Sequence, residues 1–330
     1  MPKPAYRLGH LCKLDFIMER VLSSEQIEQF ITRGWTKIEA AFDPKIALEC
    51  QDFLWGKLHE RYDVVREDKA TWKPPMAFIA ENYNTPPFDG CATERLRDGV
   101  IDIIGKDRWV AENETGQWGW WPVNFSVGAD QKWDVPGDQW HFDGPTEANF
   151  VQQASNGLLM ICLFSSIGPR GGGTLIVEGS HQIVARYLAE NPGHTQQEGI
   201  KGCIASSEYL QRLSACGEDF VENAWSSHRG PIIPFEMNLT PRIEEFMNAT
   251  FTDEFATELR VIELTGEPGD VYLGHPLMFH SPSFNHSGAP RFMCNRKTPL
   301  FEDMKFERED AEYSALEESI RRALKISVAS

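Results

Sequence analysis

The stretch Asp138-Gln139-Trp140-His141-Phe142-Asp143-Gly144-Pro145 decides how the rest of the chain is read. Its residues predict a strand, and in a strand residues two apart present their side chains on one face. His141 and Asp143 therefore offer an imidazole nitrogen and a carboxylate oxygen to a single ion. Trp140 points to the other face. Gln139 shares the face of His141, which makes it a candidate neighbour of whatever binds there. Two ligands are too few, so a second histidine has to come from a distant segment.

That segment is Gly269-Asp270-Val271-Tyr272-Leu273-Gly274-His275-Pro276-Leu277-Met278-Phe279-His280-Ser281-Pro282. A Pro-Gly-Asp turn at 268–270 starts a strand that leads toward two histidines. Spacing alone does not choose between His275 and His280. His286, in a turn-like Asn-His-Ser-Gly, is a weaker candidate. Any of them would complete a set of two histidines and one carboxylate, which leaves three metal positions open and is the usual arrangement in non-heme Fe(II) oxygenases.

Working outward, Ser23-Ser24-Glu25-Gln26 followed by Ile27, Phe30 and Ile31 predicts a capped amphipathic helix. Gly34 to Ile38 predicts a strand. Pro44–His59 and Ala92–Ile104 carry apolar residues at helical spacing, with a Pro-, Asn- and Asp-rich stretch from Lys73 to Gly90 between them. From Gly119 on, short strands dominate: Trp120–Val127, Gln139–Asp143, Leu158–Ser165, Thr174–Val177, Arg260–Leu264, Asp270–Leu273 and Arg291–Asn295. Helices followed by many short strands indicate an α+β protein with a β-sandwich core. The segment at about 182–258 interrupts the strands with helical stretches at Glu208–Cys216 and Pro241–Asn248. We read it as an insertion and a candidate lid, with Trp225, His228 and Arg229 as candidate pocket residues. A charged C-terminal helix is expected at about 305–326, its acidic face in solvent. His181, after Gly-Ser, is read as structural and as closing a strand end.

The 330 residues, 41% hydrophobic and 25% charged, suit one large domain, 1–330. A net charge of −17 argues against nucleic-acid or anionic-membrane partners and leaves a small-molecule substrate. Seven cysteines, an odd number with no CxxC pair, suggest free thiols in a reducing compartment. Lys13, Asp15 and Glu19 interrupt any signal-like pattern, and no apolar run is long enough to span a bilayer. The expectation is a cytoplasmic monomer or homodimer.

Three segments in order, His141-Phe142-Asp143, Gly171-Gly172-Gly173-Thr174-Leu175-Ile176-Val177-Glu178-Gly179-Ser180-His181 and His280…Asn285-His286-Ser287-Gly288-Ala289-Pro290-Arg291, resemble the phytanoyl-CoA dioxygenase family. The resemblance covers roughly 120–182 and 260–297, with a weaker echo in Leu22–Ile38. It implies a double-stranded β-helix (jelly-roll or cupin-like) core flanked by N-terminal helices, and an enzyme using Fe(II), 2-oxoglutarate and O2. The family places an Arg eleven positions after the distal His. That spacing selects His280 and assigns Arg291 to the far carboxylate of 2-oxoglutarate, which a planar guanidinium can hold with two parallel hydrogen bonds. Arg296 would face the opposite side of the strand. Two positions after the Arg the family often has a hydroxyl, where this chain has Met293, so Thr174, Ser283 and Ser287 become the candidate hydroxyl partners. Related halogenases carry a small residue at the Asp143 position, so Asp143 favours hydroxylation over halogenation.

The resemblance thus implies hydroxylation of an unactivated C–H bond in a small molecule, with release of succinate and CO2. No basic cluster for a CoA phosphate is evident, which favours a natural-product intermediate over an acyl-CoA. Desaturation, cyclisation or epimerisation would use the same chemistry. Two other classes fit the motifs less fully: a cupin-like metalloenzyme without 2-oxoglutarate, and a non-catalytic jelly-roll binder. The glycines at 171–173 lack the Gly-Lys-Ser/Thr of a phosphate loop and predict a tight turn into a strand.

Overall fold

The computed structural model describes residues 20–110, 118–126, 128–130, 132–214 and 242–326. Helix α1 (Ser24–Arg33) starts at a capping box between Ser23 and Gln26 and ends at Gly34 in the left-handed region. It leads into β1 (Trp35–Ile38). Helix α2 (Pro44–Tyr62) has Asp43 as its cap and proline in its first turn, where a missing N–H costs nothing. After β2 (Met76–Ile79), α3 (Glu94–Ile104) and β3 (Trp121–Asn124), the chain enters β4 (Leu159–Leu163) and β5 (Leu175–Glu178). Four helices follow: α4 (Ser180–Glu190), α5 (Gln196–Ser206), α6 (Glu208–Leu213) and α7 (Arg242–Phe246). The chain then runs through β6 (Phe251–Thr252), β7 (Glu258–Glu263), β8 (Val271–Gly274), β9 (His280–Ser281), β10 (Met293–Lys297) and α8 (Ala315–Ala323).

The strands form two four-stranded antiparallel sheets, ordered β1-β8-β4-β10 and β6-β7-β5-β9, with β2 and β3 paired beside them. From β7 to β10 each strand crosses to the opposite sheet, the winding of a double-stranded β-helix. The expected fold class is the one observed.

Strand parity sorts two apolar layers. Leu159, Ile161 and Leu163 of β4 join Ile176, Leu264, Tyr272, Met278 and Met293 in a cluster between the sheets. The alternate residues Met160, Cys162 and Phe164 belong to the larger core shared with the helices. Gln51 of α2 donates to the Phe164 carbonyl (3.0 Å), seating that helix on the outer face of β4. Among the described residues five cysteines are buried and free; Cys162 and Cys294 are direct cross-strand partners, and Cys50 Sγ lies 3.8 Å from Cys91 Sγ. No described helix is long and apolar enough to cross a membrane.

Three expectations change, and one stretch left without an element gains a strand. Gln139–Asp143 is irregular, with a single bridge at His141, because Gln139 has φ +59° and breaks the strand alternation. The Pro- and Asn-rich stretch after Lys73 contains a strand, β2, stabilised by its pairing with β3. His181 lies in the first turn of α4 rather than at a strand end. The C-terminal helix is shorter than 305–326, and its Glu317 is fully buried instead of solvated. Trp225, His228 and Arg229 lie outside the described residues.

Candidate metal centre

The two predicted histidine ligands face each other across an antiparallel bridge. His141 N–H donates to the His280 carbonyl (3.0 Å), and His280 N–H donates to the His141 carbonyl (2.8 Å). This pairing extends the β6-β7-β5-β9 sheet by one residue and brings ligands far apart in sequence to a ring separation of 4.2 Å. Upstream, Arg242 of α7 holds the approach to His141 by donating to the Val135 carbonyl (2.9 Å) and the Pro136 carbonyl (3.2 Å).

Each imidazole is oriented by its own backbone. His141 Nδ1–H donates to the Gln139 carbonyl (2.7 Å), and His280 Nδ1–H donates to the Met278 carbonyl (3.0 Å). A proton fixed on Nδ1 leaves the lone pair on Nε2, the form that binds a metal. One ligand atom from each of His141, Asp143 and His280 can be chosen so that all three lie within 4.8 Å of one another. Ligands at about 2.1 Å from one ion on one octahedral face would stand about 3.0 Å apart, so the three side chains would draw together on binding. Two imidazoles and one carboxylate with open positions are a donor set that fits Fe(II).

His275 is placed elsewhere. Its ring is fully buried, 4.8 Å from the His181 ring, and its Nδ1 accepts from Leu277 N–H (3.1 Å). Burial pushes His181 down to about 4 and His275 well below its ordinary value, so both are neutral packing residues. Gly34 makes room for them: a Cβ there would lie 2.6 Å from His181 Nδ1.

Strand parity puts Arg291 on the same inter-sheet side, in one cleft with the triad. The face of β5 carrying Ile176, the residue opposite His280, also carries Thr174 two positions away, ~6.6 Å along the strand. Arg291 Nη1 reaches Thr174 Oγ1 at 3.5 Å and contacts the Met293 thioether, while Nη2 reaches the Pro122 carbonyl (3.3 Å) and Met76 Sδ (3.8 Å). The guanidinium is 2% exposed, and its Nε has no hydrogen-bond partner among the described residues. Burial lowers it to about 9, opposed by the charge of Glu263. Glu263 itself accepts from Arg170 N–H (2.7 Å) and Gly173 N–H (3.0 Å), and no hydrogen bond joins it to Arg291. A buried cation set among sulfurs, one backbone carbonyl and one long hydroxyl contact, with no carboxylate bonded to it, fits an incoming carboxylate.

The other candidates separate. Thr174 is brought to Arg291. Ser283 donates to the Gly173 carbonyl (2.7 Å), and Ser287 donates to Asn285 Oδ1 (2.7 Å) and the Ala289 carbonyl (2.9 Å); neither hydroxyl is bonded to the guanidinium. Gln139 contributes its carbonyl, while its side chain bonds the Asp138 carboxylate. Arg296 lies over Trp109 and Trp118, on the face opposite Arg291. Asn124 ties the glycine-rich turn to the 283 loop, its amide donating to the Gly172 carbonyl (3.4 Å) and the Ser283 carbonyl (2.8 Å); a Cβ at Gly172 would meet that amide at 2.7 Å. Lys297, which the motifs do not single out, has its Nζ 4.0 Å from Asp143 Oδ2. Its signal in the sequence is the two-residue repeat Arg291, Met293, Asn295, Lys297 along one strand face.

No protein-family profile and no curated protein sequence matches the chain. Solved structures similar to it include EctD from S. alaskensis with 2-oxoglutarate and 5-hydroxyectoine (14% identity, 88% of this chain and 80% of that one, TM-score 0.42). HygX from Streptomyces hygroscopicus, with nickel, 2-oxoglutarate and hygromycin B bound, is 15% identical over 86% of this chain and 90% of its own (TM-score 0.43). SnoK, a non-heme alpha-ketoglutarate-dependent carbocyclase from nogalamycin biosynthesis, is 10% identical over 83% and 82% (TM-score 0.44). These likenesses are distant, and the chemistry below rests on this chain's own residues.

Proposed function

We propose that this chain is an Fe(II)- and 2-oxoglutarate-dependent oxygenase that hydroxylates a small molecule. The observation that carries the reading is Arg291: a fully buried guanidinium with no carboxylate bonded to it, in the cleft that holds His141, Asp143 and His280. A five-carbon diacid offers a group to each, its 2-oxo acid to the triad and its far carboxylate to Arg291. A cupin-like enzyme working without 2-oxoglutarate, or a jelly-roll binder without catalysis, gives that cation no bonded carboxylate and leaves it only the more distant charge of Glu263.

His141, Asp143 and His280 would hold the iron, and Arg291 with Thr174 would orient the cosubstrate. Bound iron supplies O2 activation driven by oxidative decarboxylation of 2-oxoglutarate to succinate and CO2. The chain's part is geometry and dryness: Leu159, Ile161, Leu163, Ile176 and Met278 keep water from the inner wall of the cleft. Asp143 would fill a coordination position that a halide would otherwise take, which favours hydroxylation. The acidic chain and the missing CoA-phosphate cluster favour a natural-product intermediate as substrate, processed by a cytoplasmic monomer or homodimer.

The test is anaerobic. Protein loaded with Fe(II) should develop a visible charge-transfer band on titration with 2-oxoglutarate, and admission of O2 should yield succinate. Protein that binds Fe(II) and gives no such band would refute the assignment.

A further inference from the structure

The inner face of β10 carries Arg291's neighbour Met293, then Asn295, then Lys297, each opposite an inward residue of β4: Leu163, Ile161 and Leu159. Asn295 Oδ1 is buried without a hydrogen-bond partner among the described residues. Lys297 closes the row at the strand end, with its side chain 54% exposed and its ammonium 4.0 Å from Asp143 Oδ2. At 4.0 Å this is a contact of charges and too long for an orienting hydrogen bond. It differs in kind from the carbonyls that fix His141 and His280 at 2.7 and 3.0 Å.

We propose that Lys297 sets the charge preference of the metal centre, weakening its hold on a dication and strengthening its hold on the anions that bind the metal next. The inference rests on the reading of His141, Asp143 and His280 as the iron site. An ion ligated by Asp143 at about 2 Å would lie within roughly 6 Å of the ammonium, where like charges repel. An anion on an open metal position would lie within about a Debye length of the same ammonium, where opposite charges attract. The half-exposed, flexible lysine keeps both effects modest. Their opposite signs distinguish this role from that of an outer partner steadying a ligand, whose removal weakens metal binding.

The test compares the full chain, Lys297→Met and Lys297→Arg without oxygen. Co(II) affinity is read by competition with a chelator, and 2-oxoglutarate affinity is read from the visible band of the Fe(II)-loaded proteins. Lys297→Met should bind Co(II) roughly two- to fivefold more tightly and 2-oxoglutarate roughly two- to fivefold more weakly. Lys297→Arg should match the unchanged chain, and both effects should shrink as salt rises from about 0.05 to 0.5 M. Weaker Co(II) binding in Lys297→Met, or equal affinities in all three proteins, would overturn the proposal while leaving the iron site intact. Failure of the unchanged chain to bind Co(II) would instead overturn the site assignment, and this inference with it.

Discussion

Replacing Arg291 with Met should separate cosubstrate binding from folding stability. Burial lowers the guanidinium from its ordinary value to about 9, and each pKa unit corresponds to about 1.4 kcal/mol, so holding the cation in the cleft costs at most about 5 kcal/mol. Arginine does not shed its proton in a protein, so the cost appears as reduced stability of the cosubstrate-free fold. Methionine would remove the charge and pack beside Met76 and Met293. Against this stand the contacts to Thr174 Oγ1 and the Pro122 carbonyl, worth about 1 kcal/mol each. The variant should therefore be as stable as the unchanged chain or more so, by up to about 3 kcal/mol. Its affinity for 2-oxoglutarate should fall by about 2–5 kcal/mol, some 30-fold or more, the range for loss of a buried charged partner. Urea denaturation of metal-loaded protein with and without 2-oxoglutarate reads both quantities. At about 100 times its dissociation constant the cosubstrate should add about 2.7 kcal/mol to the unchanged chain and no more than about 0.9 kcal/mol to the variant. An Arg291→Met protein that loses more than about 2 kcal/mol of stability, yet is still stabilised by 2-oxoglutarate, would show that the guanidinium is a structural strut and refute the reasoning.

Other perturbations probe the rest of the molecule. His280→Ala should abolish stoichiometric Co(II) binding in calorimetry, whereas His275→Ala should keep it and lose about 1–3 kcal/mol in denaturation; the reverse pattern would exchange the two histidines. Stability should also depend on acidity through the buried pair. His181 is held at about 4 by burial against an ordinary 6.5, so between those values the unfolded chain takes up a proton that the folded chain refuses. His181 therefore contributes fully above about pH 6.5, and about 3 kcal/mol is lost as pH falls to about 4; a flat stability profile over that window would contradict its burial as a neutral ring. Glu317 is fully buried; burial alone would raise it, but Arg108 and Arg308 outweigh that and hold it at about 2, with hydrogen bonds of 2.8 and 2.7 Å. Glu317→Ala should cost about 3–5 kcal/mol by denaturation, because two guanidinium groups lose their counter-ion; a loss below about 1 kcal/mol would show them satisfied elsewhere.

Much of the site was legible because its information is local. The HxD spacing, the Pro-Gly-Asp turn before His280 and the two-residue period of β10 each need only a short window of sequence. What stayed hidden depends on long-range placement. Gln139 was misread because one residue with positive φ breaks a parity that the sequence does not reveal. His275 and His280 were equivalent by spacing; the structure separates them by seating His275 against His181 and the glycine that ends α1. Glu317 looked like one more charge on a solvated helix, because its two arginines come from outside that helix. Lys297 had no motif to mark it, since its contact with Asp143 joins a strand end to an irregular loop.

The parity of β10 also limits how this scaffold can be re-engineered. One face of the strand holds Met293, Asn295 and Lys297 beside the cleft, and the other holds Cys294 and Arg296 in the packed exterior layer. A single inserted or deleted residue would exchange the two sets, moving a thiol to the cleft side and a lysine under the helices. Library design on this strand should therefore allow point substitutions at 295 and 297, hold the length fixed from Arg291 to Lys297, and place any insertion beyond the strand end.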